Sequence, residues 1–467
     1  MCGVLGIVKR NGEAAPEIYI GLTQIQHRAH DSAGIATFNK ETGKYHMYKG
    51  LGEVPAVLNE EILSSLRGAC GIGHVRWTTE GDIDIDNAHP IKGVFQGKPF
   101  YVVHNGEVRD ETIKESIGFY SDIKESDTKF IAALVSQSGA CNFSEALQKA
   151  CAILKGTYAM LFLFEDKIYA VRDTTGNRPL IFGSSGGSLI VASETAAFGP
   201  LEGEHIREVR EGEIVTIDQE SFNWSSSLII QVPQEMPMKL NFCLFEMIYL
   251  LRPDSIFLGR TIELVREHMG RKLFEEHPLN ADMVVAVYDS GEAAAHGYSF
   301  ASGIPLRKGL LRSHYAGRMF IEPVSKRAKK LLIKQSVIKE IVKDKTVIVV
   351  DDSIVEGGTA KKIISLLRKA GAKVVYFLSS SPPITYPCFY GVPTARKHRR
   401  LIAEDHKSDI DTICKEIGAD YLGYLSLRST IHAVVETAPV VTNYPLLLEN
   451  DFCTACFTGI YPIPICN

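Results

Sequence analysis

The sequence predicts a two-domain α/β protein whose second half is built on a parallel sheet. Three observations carry this. The chain has 467 residues, more than one hydrophobic core usually serves. Short strand-like runs dominate before Gln231, and strands alternate with helical runs after Pro237. Within the second half, Val347-Ile348-Val349-Val350 is a run of β-branched apolar residues, as in a strand buried on both faces. The stretch from Gln231 to Pro237, Gln-Val-Pro-Gln-Glu-Met-Pro, is the join, so the domains are expected at residues 2–235 and 236–467.

The buried run ends on Asp351-Asp352, passes through Ser353-Ile354-Val355-Glu356-Gly357-Gly358-Thr359, and enters a helical pattern from Ala360 to Lys369. Loop N–H groups and a helix N-terminus together form an anion site. A site for phosphate alone would avoid two carboxylates. A site for a sugar phosphate would use them, because carboxylates accept hydrogen bonds from ribose hydroxyls and can hold Mg²⁺. The bland alternative is a strand with a solvated acidic end. The loop lacks Gly-Lys-Ser/Thr, so it is not a nucleotide P-loop. A second strand, Met283 to Val287, runs into Asp289-Ser290-Gly291, which is either another anion turn or a simple helix cap.

Composition narrows the class. The net charge of −4 and a pI near 6.4 argue against a nucleic-acid binder. The basic run Lys326-Arg327-Ala328-Lys329-Lys330 is too short to reverse that. No apolar run approaches the roughly 18 residues of a membrane span. The start, Met-Cys-Gly-Val-Leu-Gly-Ile-Val-Lys-Arg, is too short for a signal peptide. Ten scattered cysteines then suit reduced thiols or metal ligands, and a cytoplasmic location is expected.

In the first half, Cys2 becomes the N-terminal residue once the initiator methionine is removed. Its α-amino group, titrating near 7.7–8.0, could then take the thiol proton. Cys2 could equally be a buried strand residue or, without a basic anchor to follow it, an acylation site. A helical pattern from Pro16 to Gln26 leads into His27-Arg28-Ala29-His30-Asp31-Ser32-Ala33-Gly34. A strand delivers Gly73-His74-Val75-Arg76-Trp77-Thr78 to a polar loop. A third segment, Phe100 to Glu107, is another apolar strand and ends on Asn105-Gly106. Ser126-Asp127-Thr128 opens a helix to Ser136. Singly, each is a turn or a cap.

Together these four segments resemble the glutaminase domain of class II glutamine amidotransferases over roughly residues 2 to 230. The resemblance implies an N-terminal-nucleophile αββα sandwich, two sheets between helical layers. It implies that Cys2 attacks the glutamine amide while Asn105 and the Gly106 N–H form an oxyanion hole. Arg76 would pair with the substrate α-carboxylate, Asp127 with its α-amino group, and Arg28 would support the site from behind. Ala29 and His30 replace the family's usual Gly-Gln, and Trp77 and Glu80-Gly81-Asp82 also depart from its pattern. Within this half, Thr157–Phe164 and Lys167–Arg172 read as a hairpin, and Ser188–Ala192 and Glu213–Asp218 as strands. Asn142 to Leu154 reads as a helix, with Cys141 and Cys151 as packing residues.

The second half resembles a type I phosphoribosyltransferase domain, and the whole chain is similar to the amidophosphoribosyltransferase family. The carriers are the loop at 351–359, Asp289-Ser290-Gly291, and Ser313-His314-Tyr315-Ala316-Gly317-Arg318. Phe245-Glu246-Met247-Ile248-Tyr249 with Arg252-Pro253-Asp254-Ser255 fits as well. So does the tail Cys453-Thr454-Ala455-Cys456-Phe457-Thr458-Gly459. The resemblance implies transfer of ammonia from glutamine to phosphoribosyl diphosphate (PRPP), giving 5-phosphoribosylamine, glutamate and pyrophosphate, the first step of de novo purine synthesis. PRPP would be held by Asp289, Ser290 and Gly291, by Arg318 in a closing loop, and by Asp351, Asp352, Ser353, Gly357, Gly358 and Thr359. Mg²⁺ would sit at Ser290, Asp351 and Asp352.

A lone Cys-x-x-Cys is redox-active or half of a zinc site. Four thiolates suit iron–sulfur or zinc on chemistry alone. The family resemblance points to a [4Fe–4S] cluster on Cys243, Cys388, Cys453 and Cys456, and to a homotetramer. Glu356, Gly358, Tyr288, Arg312 and His314 depart from the family's PRPP contacts. They open a second reading, a paralogue with glutaminase activity whose second half binds or senses PRPP without efficient transfer.

Overall fold

The computed structural model describes residues 2–78, 83–108, 126–229, 239–312, 335–394, 400–441 and 446–464. The expected join at Gln231–Pro237, Glu80-Gly81-Asp82, Lys326–Lys330, His314 and Arg318 lie outside the described residues.

The strands of the first half, in chain order, are β1 (Gly3–Lys9), β2 (Ser32–Asn39), β3 (Lys44–Leu51), β4 (Cys70–Arg76), β5 (Ile91–Phe95), β6 (Lys98–Val108), β7 (Gly156–Phe164), β8 (Lys167–Arg172), β9 (Ile181–Ser185), β10 (Ser188–Ala192), β11 (Glu204–Glu208), β12 (Glu213–Asp218) and β13 (Asn223–Leu228). They form two antiparallel sheets, in the orders β11-β9-β10-β1-β4-β2-β3 and β13-β12-β8-β7-β6-β5. Alternation decides the layering. Val4 and Val8 of β1 meet Leu161 and Ile168 of the facing sheet, while Leu5 and Ile7 turn outward onto Ile18 and Leu22 of α1 (Ala15–Gln24). The second sheet buries its outer face under α2 (Asp127–Ser136) and α3 (Phe143–Ile153), through Phe130, Phe143 and Leu147. The result is the expected αββα sandwich.

Two local expectations are corrected. The strand read as ending on Asn105-Gly106 continues to Val108, because Gly106 stays in the ladder opposite Tyr158. Cys151 is buried, but Cys141 is exposed: it precedes the cap of α3, where its N–H donates to Glu145 at 2.9 Å.

The second half holds a four-stranded parallel sheet in simple order: β14 (Met283–Ala286), β15 (Thr346–Asp351), β16 (Val374–Ser379) and β17 (Tyr421–Tyr424). Both faces are covered, as the unbroken apolar run of β15 requires. Ile348 and Val350 pack toward α4 (Ile262–Glu276) and α5 (Glu292–Ser302). Val347 and Val349 pack toward α6 (Gly358–Lys369) and α7 (Ile410–Ile417). The apolar cluster behind α1 runs on without a break into Phe242, Leu244, Met247 and Phe257, so the two halves share one core.

Candidate active sites

The first site gathers at the edge of the sandwich where β1, β4 and β6 lie close. Cys2 precedes β1 and is buried. Its backbone N donates to Asn105 Oδ1 at 3.2 Å, and its Sγ lies 3.6 Å from the Trp77 carbonyl. Burial pushes the thiol above its ordinary value, while the neighbouring Arg76 guanidinium pulls the other way. The Asn105 Nδ2 group is buried and has no hydrogen-bond partner among the described residues. A buried orphan donor beside a thiol is what an oxyanion position would look like before substrate arrives. Gly106 adopts φ +153°, and a Cβ there would fall 2.0 Å from the Thr157 carbonyl oxygen. Only glycine fits.

Asp127 opens α2. It accepts from the Val108 N–H at 3.0 Å and stands 3.5 Å from His104 Nδ1. Against the cost of burial, these neighbours hold its carboxyl below the usual carboxylate range, so it is an anion facing Arg76. Cys2, Arg76, Asn105, Gly106 and Asp127 are thus brought together as the sequence suggested. Arg28 lies behind them. Its Nε donates to the Cys2 carbonyl at 2.8 Å, and its Nη atoms reach Glu194 at 2.5 Å and Glu246 at 2.9 Å, all buried.

The second site lies at the C-terminal ends of β14 and β15, where ligands of parallel sheets collect. The Asp351 and Asp352 side chains are buried at the end of β15. Asp351 Oδ1 accepts from the Asp352 N–H at 2.9 Å and from Ser290 Oγ at 3.4 Å, while Ser353 Oγ donates to Asp352 Oδ2 at 2.6 Å. Burial, with Asp352 as a like charge beside it, raises the Asp351 carboxyl well above its ordinary value. The cap of α6 is Gly357, and that of α5 is Gly291; neither helix start is closed by a side chain. Their first N–H groups are therefore free of a competing side-chain cap. Asp289 is ion-paired with Arg312. Glu356, an acid placed where it could repel phosphate, is exposed.

One cavity of about 920 Å³ opens over the second site, lined among others by Tyr249, Tyr288, Asp352 and Gly358, and extends to Arg178 and to Trp77, the residue whose carbonyl lies 3.6 Å from Cys2 Sγ. The four cysteines 243, 388, 453 and 456 also line it. Cys243 and Cys453 sit side by side in a short parallel pairing. Burial pushes the Cys243 thiol up to about 11 and the Cys453 thiol up to about 12. Among the described residues, no set of three or more His, Cys, Asp or Glu side chains is gathered closely enough to hold an ion as it stands. The donor set nonetheless fits a cluster of soft-metal character: four thiols from three segments line one cavity, with the Arg178 guanidinium beside three of them.

Sequence reasoning missed the charges that tie the sites together. Glu246, Arg178, Glu194 and Arg266 are all buried. Glu246 pairs with Arg28 and Arg178 from the first half. Arg266 donates to the carbonyls of Met247 (2.9 Å) and Leu251 (2.7 Å), bracing the turn that carries Glu246, and it faces Asp352. A signal was present. Glu246 interrupts the apolar run Leu244 to Leu251, and an acid there needs a buried partner.

Comparison with known proteins fits this layout. Residues 78–200 match the glutamine amidotransferase domain and residues 259–380 the phosphoribosyl transferase domain. The amidophosphoribosyltransferase of Methanothermobacter thermautotrophicus is 37% identical over 475 residues, covering 99% of this chain and 95% of that protein. The chain belongs to the amidophosphoribosyltransferase family. The Bacillus subtilis amidophosphoribosyltransferase is 36% identical over 472 residues, covering 99% and 94%. The solved glutamine PRPP amidotransferase from B. subtilis, complexed with ADP and GMP, matches with a TM-score of 0.87 at 35% identity, over 99% of this chain and 98% of that one. These relatives support the transferase reading, not the sensor reading. Among the described residues no helix is long and apolar enough to cross a membrane.

Proposed function

We propose that the chain transfers the amide nitrogen of glutamine to PRPP, consuming water and giving 5-phosphoribosylamine, glutamate and pyrophosphate. The observation that carries this is a cavity that is lined by Asp352 and Gly358 of the second site and extends to Trp77, whose carbonyl lies against Cys2 Sγ. Residues 2–235 would form the glutaminase and 236–467 the phosphoribosyltransferase. With the initiator methionine removed, the Cys2 α-amino group takes the thiol proton and the thiolate attacks the glutamine amide carbon. Asn105 Nδ2 and the Gly106 N–H hold the oxyanion. Arg76 and Asp127 fix the substrate's α-carboxylate and α-amino groups. Ammonia leaves, and water cleaves the Cys2 thioester to release glutamate.

In the second site Asp351 and Asp352 accept hydrogen bonds from the ribose hydroxyls. The N–H groups from Ser353 to Thr359 cradle the 5-phosphate, and Asp289, Ser290 and Gly291 hold the diphosphate. Arg318 would complete closure and exclude water. Mg²⁺, held by Ser290, Asp351 and Asp352, would supply positive charge opposite the leaving pyrophosphate. A [4Fe–4S] cluster on Cys243, Cys388, Cys453 and Cys456 would tie the tail to the body of the fold. A cytoplasmic homotetramer completes the proposal.

The test is glutamine turnover on anaerobically purified protein, with and without Mg-PRPP, scoring glutamate and pyrophosphate together. Equal amounts of both, released faster with PRPP, are expected. Glutamate without pyrophosphate would leave a glutaminase only.

A pH dependence follows from Asp351. Its raised carboxyl keeps a proton to higher pH in the free protein, and the cation needs that proton gone. Mg-PRPP affinity should therefore rise with pH through the Asp351 titration and fall below it. Titration at several pH values, with PRPP's own ionisation accounted for, should show protons released on binding. A pH-independent affinity would contradict the role given to Asp351.

A further inference from the structure

We propose that the Cys388–Gly391 turn of the second half positions the Asn105–Gly106 stretch of β6, which carries the oxyanion donors, with Thr157 and Arg178 as its clamps. This rests on reading the first half as a glutaminase. Gly391 adopts φ +105°, and a Cβ there would lie 3.0 Å from the Gly106 carbonyl oxygen and 3.1 Å from its carbonyl carbon. The two backbones therefore lie in direct contact, one from each half. The adjoining Tyr390 carbonyl accepts from Thr157 Oγ1 at 3.0 Å and from the Arg178 Nη2 group. Thr157 is the residue whose own carbonyl packs under Gly106. Thr157 thus touches both Gly106 and the turn that supports it.

The turn is fixed from the other side as well. The Tyr390 hydroxyl donates to the Ile463 carbonyl at 2.5 Å and accepts from the Ile463 N–H at 2.9 Å. The Tyr390 N–H donates to Cys388 Sγ at 3.4 Å. Arg178 also reaches Glu246 at 3.4 Å, and Glu246 holds Arg28, which holds the Cys2 carbonyl. Arg178 Nε is buried and has no partner among the described residues, and it stands beside Cys243, Cys388 and Cys453. Both ends of the reacting geometry, the Cys2 backbone and Gly106, therefore rest on the second half. Oxyanion donors act only at correct placement, so a shifted Gly106 costs turnover more than substrate affinity.

The experiment uses the full chain, purified anaerobically, with Gly391→Ala and, as an unstrained variant, Thr157→Val. Readouts are glutamate release, ammonia-dependent pyrophosphate release, bound iron and visible absorbance. Gly391→Ala should lower kcat for glutamine about tenfold with KM within about twofold. Ammonia-dependent turnover and iron content should hold. Thr157→Val should shift kcat the same way, and Thr157→Ser, which keeps the hydroxyl, should restore it. Unchanged glutamine kcat in both variants overturns the inference alone. So does parallel loss of glutamine turnover, ammonia turnover and iron, which would mean a general structural role. A wild-type chain that releases no glutamate overturns the glutaminase reading and this inference with it.

Discussion

A Cys2→Ala chain is expected to lose glutamine-dependent turnover by on the order of 10⁴-fold or more while keeping ammonia-dependent turnover. The split follows from where the thiol sits. Cys2 lies against Asn105 and Trp77, and its side chain takes no part in the Asp351–Asp352 site. Removing the nucleophile leaves no atom in the pocket to form the thioester. The backbone contacts of residue 2, its N–H to Asn105 and its carbonyl from Arg28, survive truncation to alanine, so the pocket should keep its shape. Free ammonia would reach the second site without needing the first. Glutamate release and ammonia-driven pyrophosphate release, measured on one preparation, separate the two. Detectable enzymatic glutamate from the variant would remove Cys2 from the nucleophile's role.

Asp351→Asn should weaken Mg-PRPP binding by about a hundredfold, some 2.7 kcal/mol. The same change should leave the unliganded protein as stable as before, or more stable. The reason is the buried like-charge pair. Asp351 has its carboxyl raised by burial and by Asp352, so in the folded state it holds protons that the unfolded chain has already released. A raised carboxylate lowers stability as pH climbs from the unfolded value through the folded one. Asparagine removes that penalty and keeps the shape. Its amide can still accept from the Asp352 N–H, but it cannot supply the anion a divalent cation needs. Calorimetric binding and thermal denaturation on the same variant test both halves of the expectation. Unchanged PRPP affinity would take Asp351 out of the site, and a large drop in melting temperature would make it a structural acid instead.

The parallel sheet was legible because β15 is apolar at every position from 347 to 350, which only a two-faced burial explains. Its loop was legible because two acids, small residues and a helix start occur in series. Cys2, Arg76, Asn105 and Asp127 were legible only as members of a known pattern, since each alone is an ordinary turn or cap residue. The contacts between the halves were not legible. Glu246 meets Arg28 across 218 positions, and Thr157 meets Tyr390 across 233; local periodicity carries no trace of pairs so remote. The continuation of β6 past Gly106 was missed because Asn-Gly usually signals a turn, while here glycine is needed to let a strand pass a crowded point.

The position of Glu246 also bears on how such a protein could be taken apart or assembled by fusion. Its carboxylate belongs to the second half, yet it neutralises Arg28 and Arg178 of the first. A first half expressed by itself would leave Arg28 with Glu194 alone and would take from the buried Arg178 both Glu246 and the Tyr390 carbonyl. The halves are thus two chemistries but one folding partnership. An exchange of either half against that of a relative would succeed only if the residue at 246 and its arginines travelled as a set.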